Sequence, residues 1–313
     1  MTLNFFPDCV DNPRNLERLR DAARLLGASC CVEVASRLIA VENAPGSRSI
    51  YGRAPLRENA TLAVGNERRG LSRGTLAKAD EILVIPTASR MVRTLNVAAA
   101  AAVAGWYVLH GSPPQRRSPQ PERRRPALLI VGHDHVEVGS TFRSAAAFGF
   151  PAVILDDRGS GWFDGPHSQR REARAAARRH KNPLRVQPAT LDSVAARFDE
   201  IVVIEPFGDG APIQRARLAR GPSQLIVVGA ARADTRGIDD DRLRFASLAL
   251  TATDCAPLRL TASIALAEVA RQIGTRAIIA GRPTARRPKY KATIELAEAV
   301  DAFDIEPAEL LEY

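Results

Sequence analysis

Apolar residues along the chain fall into short runs of β type separated by stretches with helical spacing. A first series predicts a helix over 14–26 ending at Gly27, a strand over 30–35, strands over 61–64 and 82–85, and an Ala-rich helix over 96–108. A second series predicts a strand over 127–132, a helix over 140–148 closed by Gly149, and a strand over 152–155. It continues with a helix over 172–180, strands over 200–205, 224–229 and 245–250, and a helix over 259–273. Strands alternating with helices predict a parallel sheet in each series, so the expected fold class is α/β with two tandem domains. Between them, residues 111–126 contain five prolines, which predicts an extended linker. The expected division is 1–111, a linker at 112–126, 127–275, and a tail at 276–313.

With 313 residues, 45% of them hydrophobic, the chain has material for two cores. The longest uncharged apolar run, 97–108, falls short of a membrane span and contains Gly105. The first eleven residues carry acids and no base, unlike a signal peptide. Cys9, Cys30, Cys31 and Cys255 have no C-x-x-C spacing and read as reduced, mostly buried thiols of a cytoplasmic protein. His133 and His135 flank Asp134 at a strand end and share a face there, but no third ligand is apparent, so no metal is expected.

Charge changes the picture more. The net charge is +9, yet three short segments are each more basic than their surroundings: 113–125, 168–181 and 282–291. Only four of the 44 basic residues are lysines. Local basicity of this kind points to a polyanion, with nucleic acid foremost. Arg123, Arg124 and Arg125 of the linker and Arg170, Arg171, Arg174, Arg178 and Arg179 of the basic 168–181 segment are the candidate phosphate contacts. Residues 295–313 hold seven acids and no base, with Ile294, Ala297, Val300 and Phe303 at helical spacing, which predicts an amphipathic helix in a packing role.

The most informative stretch is Ala63-Val-Gly-Asn-Glu-Arg-Arg-Gly-Leu-Ser72, followed by Ile82-Leu-Val-Ile-Pro-Thr87 and Thr94-Leu-Asn-Val-Ala98. Gly65 and Gly70 permit a sharp turn close to a ligand. Glu67 follows a strand end, the ligand-facing side of a parallel sheet. Pro86 ends its strand, and Asn96 stands where it can cap a helix or fix a loop.

In these three segments, in this order, the sequence resembles the SpoU/TrmH branch of the SPOUT (trefoil-knot) RNA methyltransferases. The resemblance implies a knotted α/β fold and S-adenosylmethionine as cofactor. It implies RNA (rRNA or tRNA) as partner and methyl transfer, foremost to a ribose 2′-hydroxyl. It places the cofactor near Gly65, Asn66, Gly70, Ile85, Pro86 and Leu95, with Glu67, Thr94 and Asn96 shaping the site. A further family pattern is an Asn, an Arg six residues on, and a Gly six beyond that. The second series has Glu137, Arg143 and Gly149 at these spacings, and the first has Asn15, Asp21 and Gly27. Arg143 is thus the candidate catalytic cation, and the losses in the two copies are complementary. Family members pair as homodimers, so the two copies are expected to pair within one chain as a monomeric pseudo-dimer. The alternatives are a non-catalytic RNA-binding protein with a decayed SPOUT fold and a base-methylating SPOUT enzyme.

Overall fold

The computed structural model describes residues 2–34, 36–66, 69–89, 92, 94–115, 117–161, 184–250 and 256–274. The first half runs β1 (Leu3–Asp8), α1 (Pro13–Leu25), β2 (Ser29–Cys30), β3 (Arg37–Val41), β4 (Arg48–Ser49), β5 (Ala60–Gly65), α2 (Arg73–Lys78), β6 (Glu81–Val84) and α3 (Val97–His110). After one helical turn, α4 (Pro121–Arg124), the second half runs β7 (Ala127–Val131), α5 (His135–Ala147), β8 (Ala152–Asp156), β9 (Arg185–Pro188) and α6 (Leu191–Ala195). It ends with β10 (Glu200–Glu205), β11 (Ala211–Pro212), β12 (Gln224–Val228), β13 (Leu243–Ser247) and α7 (Leu258–Ile273).

The strands form two sheets in which every pair is parallel. Their orders are β2-β1-β5-β3-β6-β4 and β9-β8-β7-β12-β10-β13-β11. Without β9, the second order repeats the first strand for strand. Helices α1, α3, α5 and α7 carry the inner core. One buried cluster contains Leu19, Trp106, Phe142 and Ile264 together with the inner faces of both sheets. Smaller clusters lie on the outer faces, under α2 around Leu38 and Ala63, and under α6 around Leu191 and Val203.

Local chemistry accounts for the helices. Asn12 caps α1 through Arg14 N–H, with Pro13 opening the helix. Asp134 caps α5 by accepting from the amides of Val136 and Glu137. Helix α3 is apolar on nearly all sides and is correspondingly buried. Trp106 Nε1 donates to the Leu248 carbonyl at 3.0 Å, and Tyr51 Oη to the Ala267 carbonyl at 2.9 Å, so the halves are joined by polar as well as apolar contacts.

Several expectations need correction. The strand placed over 30–35 stops at Cys30, and Val32 beyond it is 90% exposed at the sheet edge. Cys9 and Cys30 are exposed and Cys31 is half-buried, so these thiols are not core residues. Helix α5 starts five residues earlier than the apolar pattern suggested, because Asp134 supplies a cap; His133 and His135 therefore do not share a strand face. The linker is not wholly extended, since Pro121 opens α4. Strand β1 is not among the expected elements, and it contains Pro7. The proline is tolerated because β2 pairs only with Asn4 and Phe5, leaving Pro7 on a locally open edge. The predicted 172–180 helix and the acidic tail lie outside the described residues. No helix among the described residues is long and apolar enough to cross a membrane.

Candidate functional site

A cavity of about 340 Å³ opens at the carboxyl ends of β3, β5 and β6, where loops of a parallel sheet collect. Gly65, Asn66, Gly70, Ile85, Thr94 and Leu95 line it, as do Glu42, Asn43, Arg69 and Thr87. The turn after β5 closes on itself: Gly70 N–H donates to the Asn66 carbonyl at 2.8 Å, and Asn66 N–H returns to the Gly70 carbonyl at 3.2 Å. Both glycines are sterically required. A Cβ on Gly65 would lie 2.3 Å from the Gly70 carbonyl carbon. Gly70 has φ +69°, and a Cβ there would meet Glu42 Oε2 at 2.4 Å.

Two carboxylates hold this turn in place, and neither was singled out from the sequence. Glu42, just beyond β3, accepts from Leu71 N–H at 2.9 Å. Asp8, at the end of β1, accepts from Ser72 N–H at 2.6 Å. Asn66 Nδ2 donates to the Cys9 carbonyl at 3.0 Å, tying the turn to the end of β1 a second time. The signal that existed was the run Leu38-Ile-Ala-Val-Glu42, an apolar strand ending in an acid.

Burial alone pushes the Asp8 carboxyl upward, but the Ser72 amide and the Thr75 and Ser72 hydroxyls outweigh it and hold its pKa below the usual 3.8. A lowered carboxyl pKa stabilises the fold above the unfolded-state value, and that contribution is lost as pH falls through the folded-state value. Asp8→Ala is therefore expected to lower the melting temperature at neutral pH. Its deficit against wild type should shrink below about pH 4, which calorimetry across pH 3–7 would measure. A deficit that is constant with pH would contradict the anchoring role.

Arg143 approaches the same cavity from the other half. It lies on α5, is 2% exposed, and donates from Nε to the Thr94 carbonyl and from Nη2 to Thr94 Oγ1, both at 3.3 Å. Thr94 is exposed on the cavity wall, so the two residues that the sequence could only place in separate copies meet there. Asn96 behaves differently: it is buried, and its Oδ1 accepts from Ala98 N–H at 2.9 Å as the cap of α3. Pro86 is also buried and stands behind the wall rather than on it. Glu67 lies outside the described residues.

The SpoU rRNA Methylase family model matches residues 17–106, the stretch that contains this cavity. Over these residues the chain is similar to the SpoU rRNA methylases. No curated protein matches the chain. Among solved structures, one from Porphyromonas gingivalis assigned to the TrmH family of RNA methyltransferases is 20% identical, with TM-score 0.30, over 34% of this chain and 59% of its own. The SpoU methyltransferase AviRb from Streptomyces viridochromogenes, in complex with AdoMet, is 18% identical, with TM-score 0.36, over 48% and 58%. An RNA 2′-O ribose methyltransferase is 17% identical, with TM-score 0.36, over 84% and 87%. The chain thus spans less than two thirds of the length of the first two.

Outside the SpoU-like segment, a second cavity of about 650 Å³ occupies the corresponding place at the ends of β10 and β12. Its polar groups are differently employed. Glu205, the counterpart of Glu42 by strand register, is bound by Arg232 at 3.0 and 3.1 Å instead of by loop amides. Arg158 pairs with Asp234 at 2.8 Å. The linker arginines diverge as well: Arg123 is exposed and Arg124 half-buried. Arg125, expected to contact RNA, is instead 7% exposed, bound to Glu122 and the Phe148 carbonyl and 5.6 Å from the Phe150 ring centroid. It fastens the linker to the second half. Arg170, Arg171, Arg174, Arg178 and Arg179 lie outside the described residues.

Proposed function

We propose that the protein is an S-adenosylmethionine-dependent RNA methyltransferase acting on a ribose 2′-hydroxyl of rRNA or tRNA. The observation that carries this reading is the convergence of Arg143, from one half, on Thr94 at the rim of the glycine-floored cavity of the other. The cavity's size lies within the range of small-molecule sites, and Gly65 and Gly70 keep open the space that side chains would fill. Gly65, Asn66, Gly70, Ile85 and Leu95 would hold the cofactor, largely through backbone groups, with Glu67 and Pro86 shaping the loops around it. When bound, the cofactor supplies an electrophilic sulfonium methyl.

The chain's own task is positioning and charge. The Arg143 guanidinium would orient the phosphate beside the target ribose and favour the developing alkoxide. Being already protonated, it does not accept the hydroxyl proton, which would pass to water as the methyl is transferred. Thr94 fixes that guanidinium and presents its hydroxyl at the rim. Arg123 and Arg124, with the basic 168–181 segment, would follow the RNA backbone. In this reading, 1–111 and 127–275 are two knot domains joined by 112–126 and paired as a pseudo-dimer. Their matching strand orders and the contacts between α3 and α7 support it.

Titration of the full chain with S-adenosylmethionine by calorimetry is the direct test. One site per chain is expected, at the first cavity, and no binding would overturn the enzymatic reading in favour of an RNA-binding protein. Comparing methylation in RNA from cells with and without the gene would then identify the target; a methyl group found on a base would overturn the ribose assignment.

A further inference from the structure

Helices α1 and α5 occupy equivalent places in the two halves, and each sends one charged side chain across to the other. Arg143 of α5 reaches Thr94, two residues before the cap of α3. Asp21, its counterpart on α1, reaches Arg259 in the first turn of α7, accepting from Nη2 at 2.6 Å. The same crossing occurs twice, with the charge reversed the second time. Arg259 also binds Glu137 of α5, through Nη1 to Oε1 and through its backbone N–H to Oε2 at 2.9 Å. Its side chain is only 10% exposed, and Nε has no hydrogen-bond partner, so two carboxylates from different halves supply its compensation. Arg24 stands 3.6 Å from Asp21 on the outer side.

Glu137 and Arg143 share one helix. Six residues separate them, about 9 Å along α5 at ~1.5 Å per residue. Ser144 Oγ lies 2.7 Å from Ser263 Oγ, fixing the same helix to α7 a second time. Any shift of α5 against α1 therefore moves Arg143 relative to Thr94.

We propose that Arg259 is a positioning residue for the methyl-transfer site of the opposite half: by clasping Asp21 of α1 and Glu137 of α5 it sets the register that brings Arg143 onto Thr94. Glu137 of this clasp also lines the second cavity. The positioning role rests on the reading of Arg143 given above; the clasp itself does not.

The physical consequence of losing Arg259 is specific. Asp21 and Glu137, 27% and 20% exposed, would be left as like charges with no cation between them, which loosens the contact of α1 with α5 there. Displacement of a reacting group by about 1 Å can cost 10²-fold in rate. In the full chain, Arg259→Met is expected to lower the single-turnover rate by about that factor, without weakening S-adenosylmethionine binding at the first cavity. Adding Asp21→Asn and Glu137→Gln removes the repulsion, and this triple variant should recover most of the lost rate. Asp21→Asn alone, which keeps the Arg259–Glu137 pair, provides a milder member of the series and should fall between wild type and Arg259→Met.

Amide hydrogen exchange along α1 and α5 reports the clasp without reference to catalysis, and should rise in Arg259→Met and return toward wild type in the triple variant. Wild-type rate and exchange in Arg259→Met would overturn the proposal, as would a folded triple variant as slow as the single one. If Arg143→Ala proves fully active while exchange still responds to Arg259, the reading of Arg143 fails and the clasp stands as an interface contact only.

Discussion

Arg143→Ala is expected to lower the single-turnover rate of methyl transfer by about 10²–10³ at saturating cofactor, while leaving S-adenosylmethionine binding nearly intact. The separation of effects follows from where the side chain comes from. Arg143 belongs to α5 of the second half and meets the first cavity's wall at the carbonyl and hydroxyl of Thr94. Its removal leaves the turn held by Glu42 and Asp8 untouched. The change should therefore appear in the chemical step and not in binding. Asp21→Arg, which restores the basic residue to the first copy, should not rescue the activity. Position 21 faces Arg259, so a cation there meets another cation. Full activity in Arg143→Ala, or rescue by Asp21→Arg, would rule out a site shared between the halves.

Glu268→Ala is expected to destabilise the protein by roughly 3–5 kcal/mol. Glu268 is fully buried on α7, where it accepts from Tyr107 Oη at 2.7 Å, Arg271 Nε at 2.8 Å and Gln272 Nε2 at 2.9 Å. Tyr107 belongs to α3, so this carboxylate joins the halves. Tyr51 and Trp106 pack edge-on against the Tyr107 ring at 5.2 and 4.9 Å. Burial, with Glu268 adding to it, pushes the Tyr107 hydroxyl well above its usual pKa, so it remains the donor. Deleting Glu268 strands the buried Arg271 guanidinium without its counter-charge, which is costlier than losing a hydrogen bond. Replacing the pair together, as Glu268→Leu with Arg271→Met, should recover much of the loss. Urea unfolding of wild type and these two variants measures this. A loss below about 1 kcal/mol for Glu268→Ala would mean the pair behaves like a surface ion pair.

The features legible from sequence are those decided within a few residues of themselves. The turn at Gly65–Gly70 could be located because positive φ and close backbone approach demand glycine at fixed spacing. The alternation of strands and helices followed from hydrophobic period, and the Asn96 cap from its place before an apolar run. Boundaries failed where a neighbour intervened, as when Asp134 extended α5 toward its amino end or the short β2 left Pro7 on an open edge.

What only the tertiary structure decided is the partner of each long charged side chain. Arg125 reads as a phosphate contact in a basic linker, yet it is spent on Glu122 and the Phe148 carbonyl. Arg143 finds Thr94 across 49 positions, and Arg259 finds Asp21 across 238. A local pattern fixes backbone conformation because the forces that set it act between near neighbours in the chain. The choice of an ion's partner depends on which faces pack together, and on the desolvation that packing imposes, so it emerges only when the two sheets and the helices between them are in place.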